Sequence, residues 1–151
     1  MPIGIGYIAS YTLAQFHSNE IEIRMYTEPN KLIEAITNWK PSVLALSNYC
    51  WNSEISRTIF NYAKKLNQSV VCVAGGPDFP NDLEQCEEYL SIRTDIDFYV
   101  YLEGEVPFYK LIKKIVEGAD IETLKSEAQE GVMSIHPKTR ELVLGERTPR
   151  I

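Results

Sequence analysis

Apolar positions along the 151-residue chain recur with two periods in turn, one helical and one of strand type, and this alternation predicts a parallel α/β sheet. Ile5, Ile8, Ala9, Thr12, Leu13 and Phe16 fall at helical spacing behind Pro2, a residue suited to a first helical turn. Residues 20–26, EIEIRMY, then set Ile21, Ile23 and Met25 against Glu20, Glu22 and Arg24, the pattern of an edge strand with one wet side. Leu32, Ile33, Ile36 and Trp39 form the next helical stripe, with Pro29 near its start and Pro41 at its end. The continuous apolar run at residues 42–47, SVLALS, predicts a central strand.

A helix is expected from about Asn52 to Asn67, with Ile55, Ile59, Tyr62, Ala63 and Leu66 inward and Asn52 or Ser53 as N-cap. Residues 69–74, SVVCVA, follow as a second buried strand. Asn81 with Glu84 three residues on has the spacing of a capping pair for a short helix ending near Leu90. Residues 97–102, DFYVYL, read as a strand, and 105–118 as a helix with Phe108, Leu111, Ile112 and Ile115 inward and Gly118 as its stop. After a short polar helical stretch from Asp120, two alternating runs around HPKTRE predict a hairpin.

This order begins with a helix, whereas a doubly wound domain normally begins with a strand. The fold expected is a Rossmann-like or flavodoxin-like doubly wound parallel sheet lacking its first strand, with a C-terminal β-hairpin. The chain is then expected to be a fragment whose start lies upstream of Met1. The alternative is a sheet that closes without that strand, with residues 20–26 either bridging a gap of roughly 5 Å or taking a new neighbour.

Fifteen basic against twenty-one acidic residues give a net charge of −6, and no basic cluster is denser than that around Lys113 and Lys114. A nucleic-acid partner needs a basic face, and none shows. No apolar run approaches a membrane span and no signal-type segment opens the chain, so a cytoplasmic protein is expected. Cys50, Cys72 and Cys86 are too irregularly spaced for a zinc site, and Cys72 lies inside an apolar run where it reads as buried filler. His17 and His136 are too few for a histidine-rich metal site.

Ligands of open parallel sheets bind beyond the C-terminal ends of the strands, which directs attention to three loops. In residues 46–52, LSNYCWN, Ser47 presents a hydroxyl beside the apolar planes of Tyr49 and Trp51; the same residues also suit a capped turn packed on its neighbours. In VVCVAGGPDFP, residues 70–80, Gly75 and Gly76 lack Cβ atoms and Pro77 stiffens the exit, which suits either a ligand lying against the backbone or an ordinary tight turn. In YLEGEVPF, residues 101–108, Gly104 permits a turn, and Glu103 and Glu105 flank a helix N-terminus whose dipole they complement. The opening GIG lacks dinucleotide-fingerprint spacing, no Walker-type lysine follows a glycine loop, and no Ser, His and Asp set recommends a hydrolase.

Taken together, PIGIGYIASY, LALSNYCWN, VAGGPDFP and YLEGEVPFYKLI, in this order and spacing, resemble the N-terminal cobalamin-binding domain of radical S-adenosylmethionine enzymes. The likeness spans about residues 2–118, and residues 119–151 are similar to the linker such enzymes place before a catalytic barrel. The resemblance implies a domain at residues 1–118 that holds cobalamin at the strand ends, lined by Ser47, Asn48, Tyr49, Gly75, Gly76, Pro77, Glu103, Gly104 and Glu105. It implies that the glycine pair clears room for the nucleotide tail, and hence that Gly76→Leu blocks the cofactor without unfolding the domain. It also implies a radical S-adenosylmethionine barrel in cis, carrying S-adenosylmethionine and a 4Fe-4S cluster, and chemistry of the methyl-transfer type.

Two departures qualify what this chain does alone. The CxxxCxxC motif is absent, so the radical step belongs to another part of the enzyme. The Asp-x-His-x-x-Gly motif that supplies a cobalt-ligating histidine in related domains is absent too, since His17 stands in QFHSN, and no histidine ligation is expected. The competing expectations are a stand-alone flavodoxin-like interaction or regulatory module without cobalamin, and a transferase using the glycine turn for a nucleotide sugar or phosphate. Ser47, Gly75 and Leu102 occupy the strand ends where a receiver module carries acidic residues, and no basic residue stands in the glycine turn.

Overall fold

The computed structural model describes residues 3–150, so Met1, Pro2 and Ile151 lie outside the described residues. Helix α1 (Ile3–Gln15) leads through an extended segment to α2 (Pro29–Trp39), β1 (Val43–Ser47), α3 (Ser53–Leu66), β2 (Val71–Gly75), α4 (Leu83–Ile92) and β3 (Phe98–Val100). Helices α5 (Glu105–Val116) and α6 (Ile121–Ser126) and the strands β4 (Val132–Ile135) and β5 (Leu142–Leu144) complete it. The five strands form one sheet in the order β1-β2-β3-β4-β5. The first three are parallel, while β4 and β5 add antiparallel to β3 and to each other.

Alternation along the strands sorts the core into two layers. Leu44, Cys72, Ala74, Tyr99, Met133 and Ile135 face one way, with Ile36 of α2, Ile59, Phe60 and Ala63 of α3, and Cys86 and Leu90 of α4. Val71, Val73, Phe98, Val100 and Val132 face the other way, toward Leu111 of α5 and Leu124 of α6. Helix α1 packs on α5, where Tyr11 and Phe16 meet Tyr109 edge to face, at 6.1 and 5.7 Å.

Local signals account for most boundaries. Pro29 opens α2, and Lys40 at φ 54° closes it ahead of Pro41. The carboxylate of Asp82 accepts from the Glu84 and Gln85 amides at the start of α4, so the cap is Asp82, not Asn81 as the spacing had suggested. Asp120 caps α6 through Thr123. On α3 the buried stripe is Ser56, Ile59, Phe60 and Ala63. Ile55 and Leu66, expected inward, are exposed because the two core layers select a stripe one position round from the one hydrophobicity marks.

Two expectations fail at the sheet's edge. Residues 21–26 form no strand, and β1 is an edge strand, not a central one. The causes are linked: an alternating segment becomes a strand only when a neighbour supplies ladder hydrogen bonds, and β1 offers its ladder to β2 alone. The C-terminal hairpin forms as expected, and it extends the main sheet through β3–β4 pairing.

Candidate functional site

The C-terminal ends of β1, β2 and β3 lie side by side, and their loops carry the residues singled out above. Ser47 pairs in register with Gly75, and Gly75 with Val100. On the side facing α5 and α6, these three positions continue the rows of Ala45, Val73 and Phe98. Val73 and Phe98 are covered, whereas Ala45 is exposed and Ser47 and Gly75 are half-buried. Helical cover therefore stops short of β1 and leaves a strip of open surface along the strand ends, called the trough below.

Gly75 makes the trough's floor. A Cβ there would meet only Val100 of the adjoining strand, its carbonyl at 3.1 Å and its Cβ at 3.7 Å, with no helix above it among its nearest neighbours. Ile8 of α1 and Val100 stand together at Gly104, where an added Cβ would lie 2.9 Å from the Ile8 Cδ1 and 3.6 Å from the Val100 Cγ1. They form the inner wall. The Ser47 hydroxyl makes no hydrogen bond among the described residues, while the Ser47 carbonyl accepts from Ser56. An apolar trough with one free hydroxyl suits a flat, largely apolar group carrying a few polar atoms.

Gly76 is used differently. At φ 125° it lies against the next loop, where a Cβ would fall 2.5 Å from the Asn48 carbonyl oxygen and 2.9 Å from the Asn48 nitrogen. The missing side chain lets two backbones cross, and any larger residue breaks that crossing. The expectation that Gly76→Leu fills ligand space in an otherwise intact domain is thereby overturned.

Asn48 is buried and binds the two loops together. Its backbone N–H donates to the Gly75 carbonyl at 2.5 Å, and its carbonyl accepts from Asp78 at 3.1 Å. Its Nδ2 donates to the Asp78 carbonyl at 2.8 Å and to the Tyr89 hydroxyl at 2.7 Å. The Tyr99 hydroxyl in turn donates to the Gly76 carbonyl at 2.7 Å, and Phe79, just past Pro77, stacks on the Tyr99 ring at 3.8 Å. Burial pushes the Tyr89 and Tyr99 phenols above their usual range, so both stay protonated donors or acceptors.

Tyr49 stacks on Trp51 at 4.6 Å with 13° between planes, and the outer ring, Trp51, is 73% exposed. The pair stands over the β1 end. Glu103, placed by Leu102 at φ 60°, points to the chain's last residues and pairs with Arg150 at 2.7 Å and Arg147 at 3.5 Å. Those guanidiniums, Arg150 foremost, hold its carboxyl below the usual carboxylate range. Glu105 is the first residue of α5, where its charge complements the helix dipole.

The structure thus brings Ser47, Tyr49, Gly75 and Gly104 to one rim and assigns Asn48 and Gly76 to holding it. Sequence reasoning missed Ala45, Ile8 and Val100. A period-two count would have placed Ala45 beside Ser47, but only the tertiary packing reveals that no helix covers it. His17 follows α1, and the Nδ1 of His136 accepts from Lys138 and Thr139 in the β4–β5 turn. Among the described residues no group of three or more His, Cys, Asp or Glu is placed to hold a metal ion, and no helix is long and apolar enough to cross a membrane.

The chain is similar to 2-(S-pantetheinyl)-carbapenam-3-carboxylate methyltransferase of Streptantibioticus cattleyicolor, with 28% identity over 92 residues, which is 58% of this chain and 13% of that protein. It is also similar to the cobalamin-dependent radical SAM methyltransferase TokK of Streptomyces tokunonensis, with 33% identity over 73 residues, 48% of this chain and 10% of the relative. The matched part therefore spans 13% and 10% of the length of these curated relatives. Among solved structures, the N-terminal domain of a hypothetical protein from Thermotoga maritima matches with a TM-score of 0.48 and 20% identity, over 77% of this chain and 83% of that one. Residues 1–112 match the B12 binding domain, a stretch that includes α1, β1 to β3 and all three strand-end loops, and the chain belongs to the B12-binding domain family.

Proposed function

We propose that this chain is the cobalamin-binding part of a radical S-adenosylmethionine enzyme of the methyl-transfer type, with the trough at the ends of β1 and β2 receiving the cofactor's nucleotide tail. The observation that carries this reading is the exposed Ala45 beside the half-buried Ser47 and Gly75, in a chain whose family match spans residues 1–112. Bound cobalamin supplies methyl transfer through cobalt; the protein supplies binding, orientation and exclusion of water.

Each residue then has a physical task. Gly75 and Ala45 leave space for a flat group, and Val100 and Ile8 give it an apolar wall. The Ser47 hydroxyl offers one hydrogen bond to a polar atom of the tail. Asn48 and Gly76 keep the two loops crossed, so the floor is preorganised before the ligand arrives. The Tyr49–Trp51 pair offers an apolar plane at the rim. Neither histidine lies at this rim, so the proposal includes no imidazole ligand from this chain. S-adenosylmethionine and the iron-sulfur cluster would belong to a barrel on the same polypeptide.

The test is gel filtration of the chain with hydroxocobalamin, reading the visible spectrum of the protein peak, for the native sequence and for Ala45→Phe. Position 45 is exposed, so phenylalanine fills the trough without disturbing the core. Co-eluting colour with the native chain, and at least about tenfold weaker binding by Ala45→Phe, is the expected result. A folded native chain that elutes colourless would refute the function. Undiminished binding by Ala45→Phe would refute the placement.

A further inference from the structure

The last described residues turn back across the strand ends. After β5, the Gly145 amide donates to the Val132 carbonyl at 2.9 Å and the Gly131 amide donates to the Glu146 carbonyl at 2.7 Å. The Tyr101 hydroxyl, at the end of β3, donates to the Gly145 carbonyl at 2.6 Å. Thr148 is buried, and Gly131 at φ 68° makes room for both Pro107 and Thr148, since a Cβ there would collide with the Pro107 ring and lie 2.9 Å from the Thr148 Oγ1. Residues 145–150 therefore lie beside the loop that carries Leu102, Glu103 and Gly104.

Glu103 is the fastening point. Its Oε1 takes both Arg150, at 2.7 Å, and Arg147, at 3.5 Å, and these arginines have no other carboxylate partner among the described residues. Leu102, a non-glycine residue at φ 60° and 64% exposed, sets the direction of that carboxylate. A leucine held in the left-handed region costs on the order of 1–2 kcal/mol and has to be offset by its surroundings. The Oε2 of Glu103 and the Oγ1 of Thr148 are both buried without a hydrogen-bond partner. Two such atoms at one junction mark an incompletely satisfied contact, one whose opening costs less than that of a fully paired one.

We propose that residues 145–150 are a strap latched by Glu103 over the β3 end, and that closure of the strap is coupled to occupancy of the cofactor face through Gly104, which adjoins Glu103 and lies against Ile8 and Val100 of the trough wall. Glu103 is thus a positioning residue acting through the strap. The coupling half of this inference rests on the cobalamin reading; the latch half does not.

Trypsin reads both halves. The bond after Arg147 precedes the buried Thr148 and is protected while the strap is closed, whereas Arg140, in the exposed β4–β5 turn, is an internal standard. Glu103→Gln is expected to speed cleavage at Arg147 by about threefold relative to Arg140, with Arg150→Gln acting in the same direction. Arg150 is 82% exposed, so its replacement leaves the fold intact. Raising the salt concentration is expected to speed cleavage at Arg147 in the native chain and not in Glu103→Gln. Saturating hydroxocobalamin is expected to slow cleavage at Arg147 in the native chain. Unchanged cleavage in both variants, or equal acceleration at Arg140, overturns the latch. Cobalamin that co-elutes yet leaves cleavage at Arg147 unchanged overturns the coupling. If no colour co-elutes, the cobalamin reading fails with the coupling, and the two variants still decide the latch.

Discussion

The two ends of the parallel strands handle polar groups in opposite ways. At the N-terminal end, Asp97 accepts from the Cys72 amide at 2.8 Å and from Lys64 of α3 at 2.7 Å, and pairs with Lys125 of α6 at 3.6 Å. Lys64 also donates to the Val70 carbonyl at 2.6 Å. One nearly buried carboxylate thereby joins the sheet to the helices on both of its faces, and its lone pairs are used. At the C-terminal end the Ser47 hydroxyl is free among the described residues, Ala45 and Trp51 are open to solvent, and Leu102 is strained. The closed end serves stability; at the open end these side chains are not spent on internal contacts.

The largest effect that sharpens this contrast falls at the open end. Gly76→Ala is expected to cost about 4 kcal/mol, from a left-handed backbone and a collision with Asn48. Gly118→Ala also occupies positive φ, but nothing lies within 4 Å of its Cβ, so about 1 kcal/mol is expected. Urea unfolding of the two variants measures the difference, and equal values would show that the loop crossing carries no weight. Asp97→Ala is expected to cost about 3 kcal/mol in the same assay, because it strands two largely buried lysines and an amide. A loss below about 1 kcal/mol would reduce the closed end to an ordinary surface ion pair.

Thiol chemistry tests the ends more gently. Cys50 is exposed in the β1 loop, while burial pushes the Cys72 thiol up to about 12 and raises that of Cys86. A disulfide reagent is expected to label Cys50 at least about tenfold faster than either of the others in the native chain. The smallest effect concerns pH. Glu103 has a depressed pKa when folded, so its contribution is present above the usual carboxylate range and is lost as pH falls through its lowered value. The charged groups facing it are Arg147 and Arg150. An NMR titration of the Glu103 side chain is expected to show a midpoint below that of exposed glutamates, and Arg150→Gln is expected to move it upward.

How far the fold could be read in advance depends on how local its causes are. The helices α2 to α6 follow from periodicity, prolines and caps, and the hairpin follows from two alternating runs around a turn. The strand at 20–26 did not materialise because strand formation is decided by a partner, and alternation describes only the side chains. β1 read as central for the same reason: a run of apolar residues reports burial, not the number of neighbours. The two glycines at 75 and 76 stood out together in the sequence, yet one floors the trough and the other permits a loop crossing.

The sequence alone determined the α/β class, the three strand-end loops and the resemblance that the family match supports, because those rest on spacing and residue type within short windows. Only the tertiary structure decided which loop residues are spent on internal contacts and which are left free, because that depends on what another part of the chain brings within van der Waals or hydrogen-bond reach. Asn48, Gly76 and Glu103 are claimed by distant segments, and the side chains of Ala45 and Ser47 are not.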